Sequence, residues 1–156
     1  NPGEANSVAV VETFKQLLPQ YGMELVEAAA PRTVDVSSAA RTLAGKVDVI
    51  YTNTDNNVVS AYESLAKVGN DTRTPLIASD TDSVKRGAIA ALGVNYYELG
   101  EQTGRIVVRI LNGEQPGDIA PQTSENIQLF INVTAAEKQG VTLSPELLER
   151  ATEIIR

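Results

Sequence analysis

Apolar positions follow two rhythms along this chain. Val8, Val10, Val11, Phe14, Leu17 and Leu18 recur at helical spacing and predict an amphipathic helix over residues 6–20. Asn6 or Ser7 is the expected N-cap, and Gly22 the stop. Residues 23–29 read as a short strand, broken by Pro31, Arg32 and Thr33. Val36, Ala39, Ala40 and Leu43 then mark a second helix, capped by Asp35 and closed by Gly45. A strand is expected at 47–52 and a helix at 55–68, with Val58, Ala61, Tyr62, Leu65 and Val68 on one face. A turn at 69–71 and a strand at 75–79 follow. This alternation is that of right-handed βαβ crossovers, so the expected fold is α/β, a Rossmann-like doubly wound parallel sheet.

After residue 80 the rhythm changes. Residues 82–86 make one short helical turn, 87–94 a run of small apolar residues, and 97–111 a long helix carrying Leu99, Ile106, Val107 and Ile110. Residues 113–121 are turn-rich, with two prolines. A strand at 127–133 and a short helix at 134–139, stopped by Gly140, come next. Ser144-Pro145-Glu146 starts another helix, with Ser as N-cap and Pro at the first helical position. There is no internal repeat. A doubly wound lobe opens with a strand, yet Asn1, Pro2 and Gly3 stand where it belongs. The start is neither an initiator Met nor a signal n-region. The expectation is a truncated chain whose first strand, and a domain before it, are absent.

Composition narrows the chemistry. The 156 residues suit one domain with a real core, built from Val, Ile, Leu and Ala because Trp is absent and Phe occurs twice. The net charge of −7 and the lack of a basic run argue against nucleic acid. With no His and no Cys, disulfides, thiolate metal sites, Cys nucleophiles and the Ser-His-Asp triad are all excluded. Lys46, Lys67, Lys85 and Lys138 sit at helix ends or beside turns, unsuited to Schiff-base chemistry. No stretch reaches the roughly 18–20 apolar residues of a membrane span. These residues favour binding over catalysis.

The candidate binding residues lie where apolar strands break into small polar clusters. In parallel α/β sheets, ligands sit beyond the carboxyl ends of the strands, near helix N-termini with free N–H groups. The first cluster is Thr52-Asn53-Thr54-Asp55-Asn56, more polar residues than a cap needs. Asn53 and Thr54 can donate to and accept from a bound carboxylate. The second is Ser79-Asp80-Thr81-Asp82. One of its acids suffices for capping, and Asp80, at the strand end beside Thr81, is the candidate partner of an ammonium group, a contact worth about 1.5–3 kcal/mol. Asn6 and Ser7, at the first helix start, either cap it or receive a carboxylate. Of the adjacent Tyr96 and Tyr97, one is expected in the core and one facing the cleft. No metal is expected, since calcium needs about six to eight oxygens from a dedicated loop. No nucleotide fingerprint is present and no cofactor is implied.

Five stretches together resemble a known family: N-P-G-E-A-N-S at 1–7, D-V-I-Y-T-N-T-D-N-N-V at 48–58, P-L-I-A-S-D-T-D-S-V-K-R-G-A at 75–88, N-Y-Y-E-L-G at 95–100 and N-V-T-A-A-E-K-Q-G-V at 132–141. In this order they are similar to the second lobe of substrate-binding proteins of ABC importers, of the type I periplasmic-binding-protein fold and its branch that takes up aromatic amino acids. The family's signal sequence and first lobe have no counterpart here. The resemblance implies three parts: 1–86 as the second-lobe segment lacking its first strand, 87–121 crossing to the absent first lobe, and 122–156 as return strand and C-terminal helices. Hinges would lie near 79–87 and 113–121. It implies a signal-peptide-dependent protein, periplasmic or membrane-anchored outside the cytoplasm. Such a protein would bind an amino acid between lobes, close by a hinge and deliver it to an ABC permease. Two alternatives share the architecture: a ligand-sensing effector domain of a transcriptional regulator, and a doubly wound enzyme.

Overall fold

The structure is a computed structural model and describes residues 1–124 and 126–156. Five strands form one sheet in the order β1 (Ile50–Thr52), β2 (Leu76–Ala78), β3 (Ala90–Val94), β4 (Ile127–Asn132) and β5 (Glu153–Ile155). All neighbouring pairs are parallel except β3 with β4, which run antiparallel from Ala90 opposite Ile131 to Val94 opposite Ile127. The α/β class read from the sequence holds. The reversal comes from the excursion between β3 and β4, which contains α6 (Tyr96–Leu111) and brings the chain back to the end it left.

Alternation along the strands sorts side chains to two faces. Ile50, Leu76, Ala78 and Ala91 turn to one core, with Val36 and Ala40 of α2 (Val36–Leu43) and Tyr62, Leu65, Ala66 and Val68 of α4 (Tyr62–Thr72). Ala90 and Ile131 turn to the other, under Ala135 and Ala136 of α7 (Val133–Lys138) and Leu147 and Leu148 of α8 (Pro145–Glu149). Tyr51, on β1, meets Phe14 of α1 (Ala5–Leu17) edge to face, ring centroids 4.9 Å apart.

Several local expectations are corrected. The helix expected at 55–68 is two: α3 (Asn56–Ser60) and α4, with Ala61 at φ −109°, ψ 21° between them. Gly69 is no turn but an interior helix position, because α4 lies so close to β2 that a Cβ there would come 2.8 Å from the Leu76 side chain. The helix ends only at Arg73, in the left-handed conformation. Residues 23–29 join no ladder; a strand needs a neighbour for its backbone bonds, and none of the five strands supplies one. Met23 and Val26 are exposed accordingly. Asp35 stands at the N-cap of α2 but spends its carboxylate on Arg32. Neither Asn6 nor Ser7 caps α1; Glu4 holds that position, without a side-chain bond. β5, only three residues long, had no legible periodicity.

Two polar side chains tie the layers together. Gln139 is buried and accepts from Leu76 N (2.8 Å) while donating to Gly87 O (2.9 Å) and Asn70 Oδ1 (3.2 Å). Asn132 caps α7 through Ala135 N (2.8 Å) and donates to Val84 O (2.9 Å). Within the 87–121 segment, β3 is a strand of this sheet, whereas α6 buries only Gln102 and leaves Val107, Val108, Ile110 and Leu111 exposed.

Candidate functional site

The carboxyl ends of β1 and β2 leave the sheet side by side. Thr52 pairs with Ala78 in register, and Ser79 N donates to Thr52 O at 3.0 Å, so the two loops share one origin. At the end of β3, Gly93 packs on the second loop. A Cβ there would lie 3.0 Å from Ser79 O and 3.2 Å from both Asp80 Cα and Thr81 N. Glycine in a strand marks such an approach, but residues 87–94 read from the sequence only as a run of small apolar residues.

A third segment closes on the first loop. Asn6 Nδ2 donates to Thr54 O (3.0 Å), Ser7 Oγ to Asp55 Oδ2 (2.8 Å), and Asn56 N and Nδ2 to the Glu4 carboxylate (3.2–3.3 Å). The expected residues Asn6, Ser7 and Thr54 thereby come together, with Asn53 beside them in the same loop. Asp55, expected at the start of the helix over 55–68 within the polar cluster, is wholly buried beneath this junction. Its Oδ1 caps α3, accepting from Asn57 N (2.9 Å) and Val58 N (3.2 Å). Its Oδ2, which accepts from Ser7 Oγ, also lies 2.9 Å from Asn1 N.

Asp80 and Thr81 form the second loop's share. Asp80 is nearly buried and caps α5 (Thr81–Lys85): Oδ1 accepts from Ser83 N (2.8 Å) and Oδ2 from Ser83 Oγ (2.7 Å). Each carboxylate oxygen can accept a second bond, so capping leaves acceptor capacity. Asp82 is exposed and pairs with Lys85 at 3.5 Å. The far end of α5 is pinned by Arg86, which holds Val59 O and both oxygens of Glu63 at 2.6 Å.

Of the notable polar groups in these loops, the Asn53 amide and the Thr54 hydroxyl make no hydrogen bond among the described residues, while Thr52 is spent internally on Tyr62 and Ile77 O. Tyr96 and Tyr97 are both exposed at the start of α6, behind its N-cap Asn95, so neither is core. Two surface concavities, of about 450 and 290 Å³, are lined by residues other than Asn53, Thr54, Asp80 and Thr81. The edge presents a polar shelf, Thr54 exposed and Asn53 half-buried beside the buried Asp80 and Thr81. No group of three or more acidic residues able to hold a metal occurs among the described residues. No helix among them is long and apolar enough to cross a membrane.

Residues 1–155 match the profile of the family described as ABC transporter substrate binding protein. The chain belongs to that family. The family is one of binding proteins rather than enzymes. The chain is 35% identical over 132 residues, 85% of its length, to a tyrosine-binding protein of Clostridioides difficile, of which it spans 38%. A crystal structure of a conserved domain protein from Vibrio cholerae superposes with TM-score 0.93 at 44% identity, over 99% of this chain and 52% of that one. An ABC domain in complex with L-Trp from Streptococcus pneumonia gives 0.89 at 28% identity, over 97% and 52%. The chain thus spans about half the length of these structures or less of the curated relative.

Proposed function

We propose that this chain is the second lobe of a two-lobe solute receptor that takes up an aromatic amino acid for an ABC importer. The observation that carries the reading is the shelf: two strand-end loops present polar groups at one sheet edge, Asn53 and Thr54 with no side-chain hydrogen bond among the described residues and Asp80 with acceptor capacity beyond its cap. A shelf binds tightly only when a facing wall covers it, and a second lobe supplies one. The names of the tyrosine-binding and L-Trp-bound relatives support the ligand class.

In this reading the ligand carboxylate meets Asn53, Thr54 and the first turn of α1, around Asn6 and Ser7, whose N–H groups no side chain caps. Its ammonium meets Asp80, beside Thr81. The segment after Val94 crosses to the first lobe, where the exposed apolar face of α6 finds cover. The lobes close about a hinge where the chain leaves β3 and another near 113–121, rather than near 79–87, because residues 79–87 join β2 to β3 within this sheet; the closed form is read by the permease. Closure follows only if the closed form binds more tightly, since equal affinity shifts nothing. The protein works outside the cytoplasm, exported by a signal peptide and either free in the periplasm or membrane-anchored.

The test is calorimetric titration of the two-lobe protein carrying this chain with the twenty amino acids. Tight binding of Tyr, Trp or Phe, weakened at least about tenfold by Asp80→Ala, is the expected result. Silence across the panel would refute the amino-acid assignment.

A further inference from the structure

We infer that Asp55 and Ser7 form a positioning clasp for the ligand shelf, with the Ser7 hydroxyl acting through Asp55 and only the Ser7 backbone N–H left to the ligand. This rests on the proposed receptor function. Ser7 is 5% exposed and Asp55 0%. The Ser7 hydroxyl proton is spent on Asp55 Oδ2 at 2.8 Å. The other carboxylate oxygen holds Asn57 N and Val58 N, which sets the direction in which the loop after β1 turns into α3. One buried carboxylate therefore joins the first turn of α1 to the loop that presents Asn53 and Thr54.

The clasp has an outer layer. Glu4 accepts from the backbone and side-chain nitrogens of Asn56, and the Asn6 amide holds Thr54 O. On the far side, Asn57 Nδ2 donates to Pro31 O (3.0 Å), and Asn57 Oδ1 accepts from Thr33 Oγ1 (3.1 Å). Residues 4–7, 31–33 and 54–57 are thus locked into one unit. A loop fixed this way presents its groups without an ordering cost at binding, the part of affinity that preorganisation governs. The Asn53 amide and Thr54 hydroxyl gain from this, because neither makes a side-chain hydrogen bond of its own among the described residues.

A double-mutant cycle in the two-lobe protein, read as tyrosine affinity and stoichiometry by calorimetry, separates positioning from contact. Ser7→Ala and Asp55→Asn should each weaken the dissociation constant about tenfold with stoichiometry unchanged, and the double variant should be little worse than either. Additive losses of about a hundredfold would overturn the inference, because the Ser7 hydroxyl would then meet the ligand itself. A lowered melting temperature with unchanged affinity would also overturn it. If the buried variants fail to fold, Glu4→Ala loosens the same loop from its exposed side and should weaken binding while Glu4→Gln restores it. No binding of any aromatic amino acid by the unaltered protein would instead remove the receptor reading, and the inference with it.

Discussion

Replacing Gln139 by Leu removes three hydrogen bonds while keeping most of the apolar volume. The Leu76 N–H, on a wholly buried residue, loses its acceptor at 2.8 Å. An orphaned buried donor costs about 1–3 kcal/mol. The Gly87 carbonyl and Asn70 side chain also lose their partner, but both are only part-buried and water can reach them, which adds about 1 kcal/mol. The expected loss is about 2–4 kcal/mol, a large part of the roughly 5–15 kcal/mol that holds an ordinary domain. Gln139→Ala should cost about 1–2 kcal/mol more, for the cavity it opens. Urea unfolding measures both: the midpoint should fall by about 1–2 M with the slope unchanged. A Leu variant within about 1 kcal/mol of the parent would refute the view that Gln139 joins β2, α4 and the turn before β3.

Other outcomes follow from the same packing. Burial, the largest cause, raises the Tyr62 phenol to about 12; the Thr52 hydrogen bond opposes it, Asp80 adds to it more weakly, and Arg86 opposes it least. The unfolded phenol ionises near 10, so this group's stabilisation is complete below pH 10 and is lost as the pH rises toward 12. Tyr62→Phe should flatten the fall in stability across that window, read by melting temperature; an unchanged slope would remove the effect. Gly93→Ala forces a methyl within 3.0–3.2 Å of the Ser79–Thr81 backbone, so it should weaken ligand binding and cost about 1–3 kcal/mol. Equal affinity and stability in that variant would contradict the close packing of β3 on the loop.

Much of the architecture was legible because periodicity and punctuation are local. Val36, Ala39, Ala40 and Leu43 lie on the buried side of α2, and Ser144 caps α8 with Pro145 behind it. What was not legible depends on residues far apart in the chain. Gly69 reads as a turn until Leu76 is seen beneath it, and Gln139 reads as a helix end until its three partners, up to 69 residues away, surround it. The polar clusters after β1 and β2 were found from sequence, but the division of labour within them was not. Asp55 and Asp80 both look like caps; only the fold distinguishes the carboxylate beneath the Ser7 junction from the one at the shelf.

Hydrogen exchange of the two-lobe protein, with and without tyrosine, shows whether the two strand-end loops meet the ligand. Slowed exchange is expected at the amides of residues 53–56 and 79–81 on ligand addition, with β5 and α8 unchanged. Tyrosine binding that leaves both loops unprotected, or protects only surfaces away from the carboxyl ends of β1 and β2, would contradict that contact.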